Sequence, residues 1–118
     1  MIRTVNLHKS FGHQHVLAGV NLEIPDGTIY VIIGRSGAGK SCLLKHFIGL
    51  LRPDQGEVWI DGEEISRLRG WALNRVRTRF GMLFQGGALF DSLSVYDNVA
   101  FPLRERTRLS EGVIREKV

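Results

Sequence analysis

The sequence has one cysteine, Cys42, and no uninterrupted apolar run longer than a handful of residues. A single thiol excludes an internal disulfide and fits a reducing compartment. Apolar runs this short fall well below the roughly 18–20 residues of a membrane-crossing helix. The start, MIRTVNLHKSF, lacks the long apolar core of a signal peptide. These features point to a cytoplasmic location. No internal repeat or low-complexity tract is present. Arg67, Arg69, Arg75, Arg77 and Arg79 cluster, as do Arg104, Arg106 and Arg108, but no aromatic residues interleave with them as stacking platforms. A nucleic-acid partner is therefore not expected. The net charge of +4 is read as a solvated face, or as a surface near anionic headgroups or a membrane partner. With 118 residues, 43% apolar and 24% charged, the chain is long enough for one globular domain with a small core.

Within those bounds the chain alternates between strand and helix signals. Residues 2–8 and 16–24 alternate as strands around a turn at Gly12 to His15, and Pro25-Asp26-Gly27 makes a second turn. TIYVII (28–33) is a short apolar, β-branched run, as expected of a strand buried on both faces. A helix should follow to about Leu51, with Leu43, Leu44, Phe47, Ile48 and Leu51 on one face and Pro53 as its stop. EVWIDGEEI (57–65) reads as a hairpin turned at Asp61-Gly62. Residues 68–78 read as a basic helix and FGMLF (80–84) as a strand. Ser94 reads as an N-cap with Asp97 three residues later, opening a helix that should end near Pro102. A last helix should begin at Ser110.

The most specific motif lies between the third strand and the first helix. Gly34-Arg35-Ser36-Gly37-Ala38-Gly39-Lys40-Ser41 matches G-x-x-x-x-G-K-[ST] in the required context. Small residues let the backbone wrap phosphates so that successive N–H groups point at an anion. The positive end of the following helix adds to that field. Lys40 can reach the β- and γ-phosphates as a mobile point charge, and Ser41 offers a hydroxyl to magnesium. Cys42, next in line, sits at a helix N-terminus, where a thiol pKa tends to fall. It is read either as a small residue packed beneath the loop or as a redox-active thiol whose alkylation would block nucleotide binding. His8, His13 and His15 alternate around the first turn, but no carboxylate or cysteine completes a metal set. Asp61 and Glu63 in VWIDGEE imitate a magnesium-holding pair, yet Asp61-Gly62 is better read as a hairpin turn.

Thirty-three residues precede Gly34, enough for two strands and their turns. That arrangement resembles the ATP-binding subunits of ABC transporters. The resemblance implies an α/β P-loop NTPase of ABC ATPase type with an N-terminal antiparallel β subdomain. Residues 1–33 and 56–66 would supply that subdomain's strands, 34–51 the phosphate loop and helix, 80–103 the Q-loop region, and 104–118 the start of a helical subdomain. It implies that Phe11, in HKSFGHQHVL, stacks on adenine and that Val16 lines the adenine and sugar side. Gly34 to Cys42 would hold the ATP phosphates, and Lys40 would act catalytically. Gln85, in GMLFQ, would be the Q-loop glutamine, its amide reaching Mg2+ and the attacking water. Ser41 and Gln85 would be the two metal-facing side chains. The stretch GGALFDSLSVYDNVAFPLRE narrows the likeness to the ATPases of Mce/Mla-type lipid transporters, although amino-acid importers share a looser form of it. It implies docking of a membrane permease on residues 86–103, with Gly86, Gly87, Leu89, Phe90, Leu93 and Val95 as contacts or, for some, inward-packing residues. It also implies a peripheral place on the inner face of the cell membrane.

No L-S-G-G-Q signature, later Asp-Glu strand or switch histidine occurs in the 118 residues. In the family, ATP is sandwiched between one subunit's phosphate loop and a second subunit's signature. The chain is therefore read as an N-terminal fragment, truncated before the signature motif, that binds ATP and hydrolyses it negligibly. The remaining alternatives are the ATPase of another ABC transport class, for amino acids or lipoproteins, and a non-transport P-loop module.

Overall fold

The alternating first 24 residues form a long antiparallel hairpin in the computed structural model, which describes residues 1–118. Strand β1 is Ile2–Phe11 and β2 is Gln14–Ile24, paired from Ile2↔Ile24 to Phe11↔Gln14. On the other edge of β1 lies β3, Gln55–Ile60, with Ile2 opposite Ile60 and His8 opposite Gln55. The two-residue turn Asp61-Gly62, with φ of 49° and 81°, leads into β4, Glu63–Glu64. Positive φ at both positions is what a tight hairpin of this twist requires. The sheet order is β2-β1-β3-β4. Inward-facing Leu7, Leu17, Val58 and Ile60 meet Leu43 and Phe47 of the first helix, together with Ile65 and Val76.

The first helix, α1, spans Lys40–Phe47 and is shorter than expected. Pro53 does not stop it; Gly49 does. Gly49 has φ 69°, and the N–H groups of Gly49 and Leu50 donate to the carbonyls of His46 and Lys45 at 3.2 and 2.9 Å. That is the left-handed closure that satisfies a helix's last carbonyls. Arg77 adds to it, donating through Nε to the Ile48 carbonyl at 2.8 Å. Leu44 falls outside the buried face and is 40% exposed. Arg77 belongs to α2, Gly70–Arg77, which buries Leu73 and Val76.

Two expected strands do not form. Residues 28–33 form no strand and pair with none of β1 to β4. Ile29, Val31 and Ile33 are 96, 70 and 90% exposed and Tyr30 is 49% exposed, whereas Ile32 is packed against the core. β-branched composition sets local extension, but a strand buried on both faces needs neighbours on both edges. Residues 80–84 fare similarly. Only an isolated bridge, Phe84↔Gly87, is present there.

The chain divides into two units, Met1–Phe80 and Gly81–Val118. In the second, α3 covers Val95–Arg106 and α4 covers Glu111–Lys117. The Ser94 hydroxyl accepts from the Asp97 N–H at 3.0 Å, and the Ser110 hydroxyl accepts from Val113 at 3.4 Å, so both expected caps are present. Helix α3 runs through Pro102 rather than ending there. Proline removes one backbone donor, and the turn beyond it is held by side chains. Arg104 donates to Asp97 at 2.9 Å and to Glu111 of α4 at 3.0 Å. These bonds hold both carboxyls below their ordinary pKa. Their contribution is present above the usual carboxylate range and is lost as pH falls through the lowered values.

Candidate functional site

The phosphate-loop motif folds as a close-packed arch between residue 34 and α1. Ala38 N–H donates to the Arg35 carbonyl at 3.0 Å, closing a turn inside the loop. A Cβ on Gly34 would meet the Ala38 methyl at 3.2 Å. At Gly39, φ is 95°, and a Cβ there would lie 3.0 Å from Val16 Cγ1 and 3.1 Å from the Val16 carbonyl oxygen. The end of the loop thus rests on β2, which brings Val16 and the loop together.

Lys40 folds back over this arch. Its Nζ donates to the carbonyls of Gly34 and Arg35, the latter at 2.7 Å. Helix α1 has no side-chain cap and no acidic residue in its first turn. The N–H groups of its first turn have no intrahelical acceptor. An ammonium, a positive helix end and small residues therefore share one place. The arrangement suits a phosphate chain, with the Lys40 ammonium able to exchange carbonyl oxygens for phosphate oxygens. Ser41 is exposed in the first turn of α1, where its hydroxyl is free to face a metal bound with that phosphate. Arg35, Ser36, Gly37 and Ala38 are likewise exposed.

Of the two readings of Cys42, the structure favours the packed one. The thiol is half-buried, and burial pushes its pKa up despite the opposing pull of Lys9 and Lys45. Desolvation of the thiolate outweighs the two nearby ammonium charges. Alkylation by iodoacetamide near neutral pH is expected to be slower than that of glutathione and to accelerate as pH rises. A rate above that of glutathione would contradict this burial.

Phe11 ends β1 and is 50% exposed, with Lys9 Nζ 5.5 Å above its ring. His8 Nε2 bonds Asn6 Oδ1 at 3.1 Å, and His15 Nδ1 bonds Ser10 Oγ at 2.8 Å. Asp61 accepts from the Met1 ammonium at 2.7 Å, and Glu63 accepts from Arg75 at 2.7 Å, so Asp61 and Glu63 of VWIDGEE are both engaged in the β subdomain.

Gln85 belongs to the second unit, in the exposed turn closed by Phe84↔Gly87, rather than at the end of a paired strand. After it, Gly86, Gly87 and Ala88 all have positive φ, of 85°, 87° and 51°. Leu89, Phe90, Leu93 and Val95 are 65, 50, 37 and 83% exposed, and the Phe90 ring tilts against Phe101 at 4.8 Å. Asn98 was not singled out from the sequence, and it organises this segment. Its Oδ1 accepts from Phe90 N–H at 2.9 Å, and its Nδ2 donates to the carbonyls of Phe90, Leu93 and Ser94 at 3.1, 3.3 and 2.9 Å. The N-V pair in VYDNV marks the position, but a bond to a residue eight places upstream leaves no periodic trace.

An apolar run leading to a glycine-rich loop, a lysine folded over it and a helix with a bare N-terminus define a P-loop nucleotide-binding module. The chain matches the ABC transporter family over residues 17–117 and belongs to that family. It is 50% identical over 117 residues to "Probable ribonucleotide transport ATP-binding protein mkl" of Mycobacterium leprae, covering 99% of this chain and 34% of that protein. It is 48% identical over 118 residues to the intermembrane phospholipid transport system ATP-binding protein MlaF of Haemophilus influenzae, covering 100% of this chain and 45% of that protein. Among solved structures, a dimeric bacterial ABC transporter cassette superposes with a TM-score of 0.88 at 33% identity, over 99% of this chain and 53% of that one. The same cassette in a post-hydrolysis state bound to ADP and Pi gives a TM-score of 0.86 at 32% identity, with the same coverage. The chain thus spans between a third and about half of the proteins it resembles.

Proposed function

We propose that this chain is the ATP-binding part of an ABC transporter ATPase that energises phospholipid transport across or between bacterial membranes. The observation that carries the nucleotide reading is the Lys40 ammonium seated on the Gly34 and Arg35 carbonyls at the bare N-terminus of α1. In this reading Gly34 to Cys42 bind the phosphates, Phe11 stacks on adenine and Val16 bounds the sugar side. Ser41 and Gln85 face Mg2+, which when bound supplies charge neutralisation for the phosphates. Lys40 holds phosphate oxygens by charge, and Gln85 positions water through its amide. Support for ATP as the ligand comes from the solved cassette bound to ADP and Pi.

The lipid reading rests on G-A-L-F directly after Gln85 and on N-V-A-F-P-L-R-E, and is supported by the phospholipid system named for MlaF. The mycobacterial relative is named for ribonucleotides at nearly equal identity, which makes nucleotide cargo the second reading. The exposed apolar segment of residues 86–103 is the permease-docking surface in either case, which would keep the subunit on the inner face of the cell membrane. Dimerisation with a second ATPase subunit follows the dimeric cassette. Calorimetric titration of Mg·ATP into the 118-residue protein should show binding that Lys40→Ala abolishes without loss of helical signal, and negligible turnover. Absence of binding, or robust turnover that Lys40→Ala removes, would each overturn part of this reading. Lipid cargo is separated from ribonucleotide cargo by which compound co-purifies with the assembled transporter.

A further inference from the structure

The first unit contains a second basic concavity that the phosphate loop does not share. It is a polar cavity of about 170 Å³ where the turn after α1 meets the segment between β4 and α2. Arg52 comes from the first side, and Arg67 and Arg69 come from the second. All three are exposed, and none of their guanidinium groups is engaged in an ion pair or hydrogen bond. This sets them apart from Arg75, Arg77, Arg79 and Arg104, which hold carboxylates or helix carbonyls.

One carboxylate, Asp54, lines the same cavity. It is already taken, since it accepts from the Ser10 N–H at 2.7 Å and lies 3.5 Å from Lys9 Nζ. The other nearby acid, Glu64, accepts from the N–H groups of Val58 and Ser66. Arg69 is also the N-cap residue of α2, whose first turn contains no acidic side chain. Three arginines without an ion pair therefore line one cavity whose single carboxylate is already engaged elsewhere. The cavity is smaller than the ~300–1,000 Å³ of drug-sized sites, and its scale suits one tetrahedral anion. Guanidinium forks match phosphate oxygens in pairs, which a point charge cannot do.

We propose that Arg52, Arg67 and Arg69 form a second anion site that binds a phosphate group, carried either by free phosphate or by a phospholipid headgroup. The site is independent of nucleotide binding at Lys40, and its test is run so that the two can fail separately.

Amide spectra of the 118-residue protein carrying Lys40→Ala are recorded while inorganic phosphate is added. The expected result is a saturable shift of the backbone amides of residues 66–71. In Arg67→Gln/Arg69→Gln the apparent affinity should fall about tenfold or more, the loss of at least one charge-assisted hydrogen bond. Arg67→Lys/Arg69→Lys should recover only part of it. Unchanged amides in β1 and β2 show that the variants remain folded. A second arm measures sedimentation with phosphatidylcholine vesicles with and without phosphatidic acid. Binding that needs phosphatidic acid and is lost in Arg67→Gln/Arg69→Gln assigns the site to a headgroup, and amide shifts alone assign it to free phosphate. Shifts that are absent or insensitive to the glutamine substitutions, together with arginine-independent vesicle binding, overturn the proposal.

Discussion

Gly56→Ala is expected to undo the pairing of β1 with β3 and with it the first unit. Gly56 has φ 94°, and a Cβ there would lie 2.3 Å from the Asn6 carbonyl oxygen and 2.5 Å from that of Val5. Both obstacles are backbone, so no rotamer change relieves them. The neighbouring pairs are Val5↔Glu57 and His8↔Gln55, with an irregularity between them where Asn6 itself has φ 48°. The strands therefore approach through a local kink that only a glycine fits. A left-handed alanine costs about 1–2 kcal/mol and overpacking adds about 1–3 kcal/mol. Against the ~5–15 kcal/mol stability of an ordinary domain, the sum is large. Urea unfolding followed by circular dichroism should show a midpoint far below that of the parent, or no cooperative transition. A midpoint equal to the parent's would mean that β3 is free to move away from Asn6.

Gly39→Ala is expected to cost nucleotide affinity while leaving the sheet in place. The residue opens α1 at φ 95°, and a methyl group there would press on Val16 Cγ1 at 3.0 Å and on the Val16 carbonyl at 3.1 Å. Val16 itself has no partner in β1, but the strand is held on both sides of it, where His15 pairs with Ser10 and Leu17 with Lys9. The loop must lift instead, turning the first-turn N–H groups of α1 and the Lys40 ammonium away from a common target. Loss of two charge-assisted hydrogen bonds, at about 1.5–3 kcal/mol each, corresponds to a hundredfold or greater drop in ATP affinity. Calorimetry on Gly39→Ala beside Lys40→Ala separates frame from charge: the first keeps the ammonium and misplaces it, the second keeps the arch and removes the ammonium. ATP affinity in Gly39→Ala equal to the parent's would show that the contact with Val16 does not shape the loop.

The elements legible in the sequence were those whose signals are local. The first hairpin, the Asp61-Gly62 turn and the caps at Ser94 and Ser110 each depend on residues within a few positions of one another, and all are present. The phosphate loop was legible for the same reason. TIYVII and FGMLF were misjudged because composition reports a tendency to extend, whereas strand formation depends on partners distant in sequence. The end of α1 was misplaced because Pro53 is a conspicuous stop, while Gly49 acts through a backbone closure and Arg77 through a contact 29 residues away. For Cys42 the packed reading agrees with its partial burial, while the helix end that favours the redox alternative is opposed by a desolvation that sequence does not show.

The four hydrogen bonds of Asn98 have a consequence for how this surface can diversify. They fix the backbone from residue 90 to residue 94 through one amide on α3, independently of the apolar side chains that the segment displays. Leu89 and Leu93 are thereby released from holding the loop's shape, whereas the Phe90 ring still packs on Phe101. Leu89 and Leu93 can be exchanged while the path of the chain stays constant, provided the asparagine stays. The path of the backbone and the apolar face it displays are thus written largely in different residues.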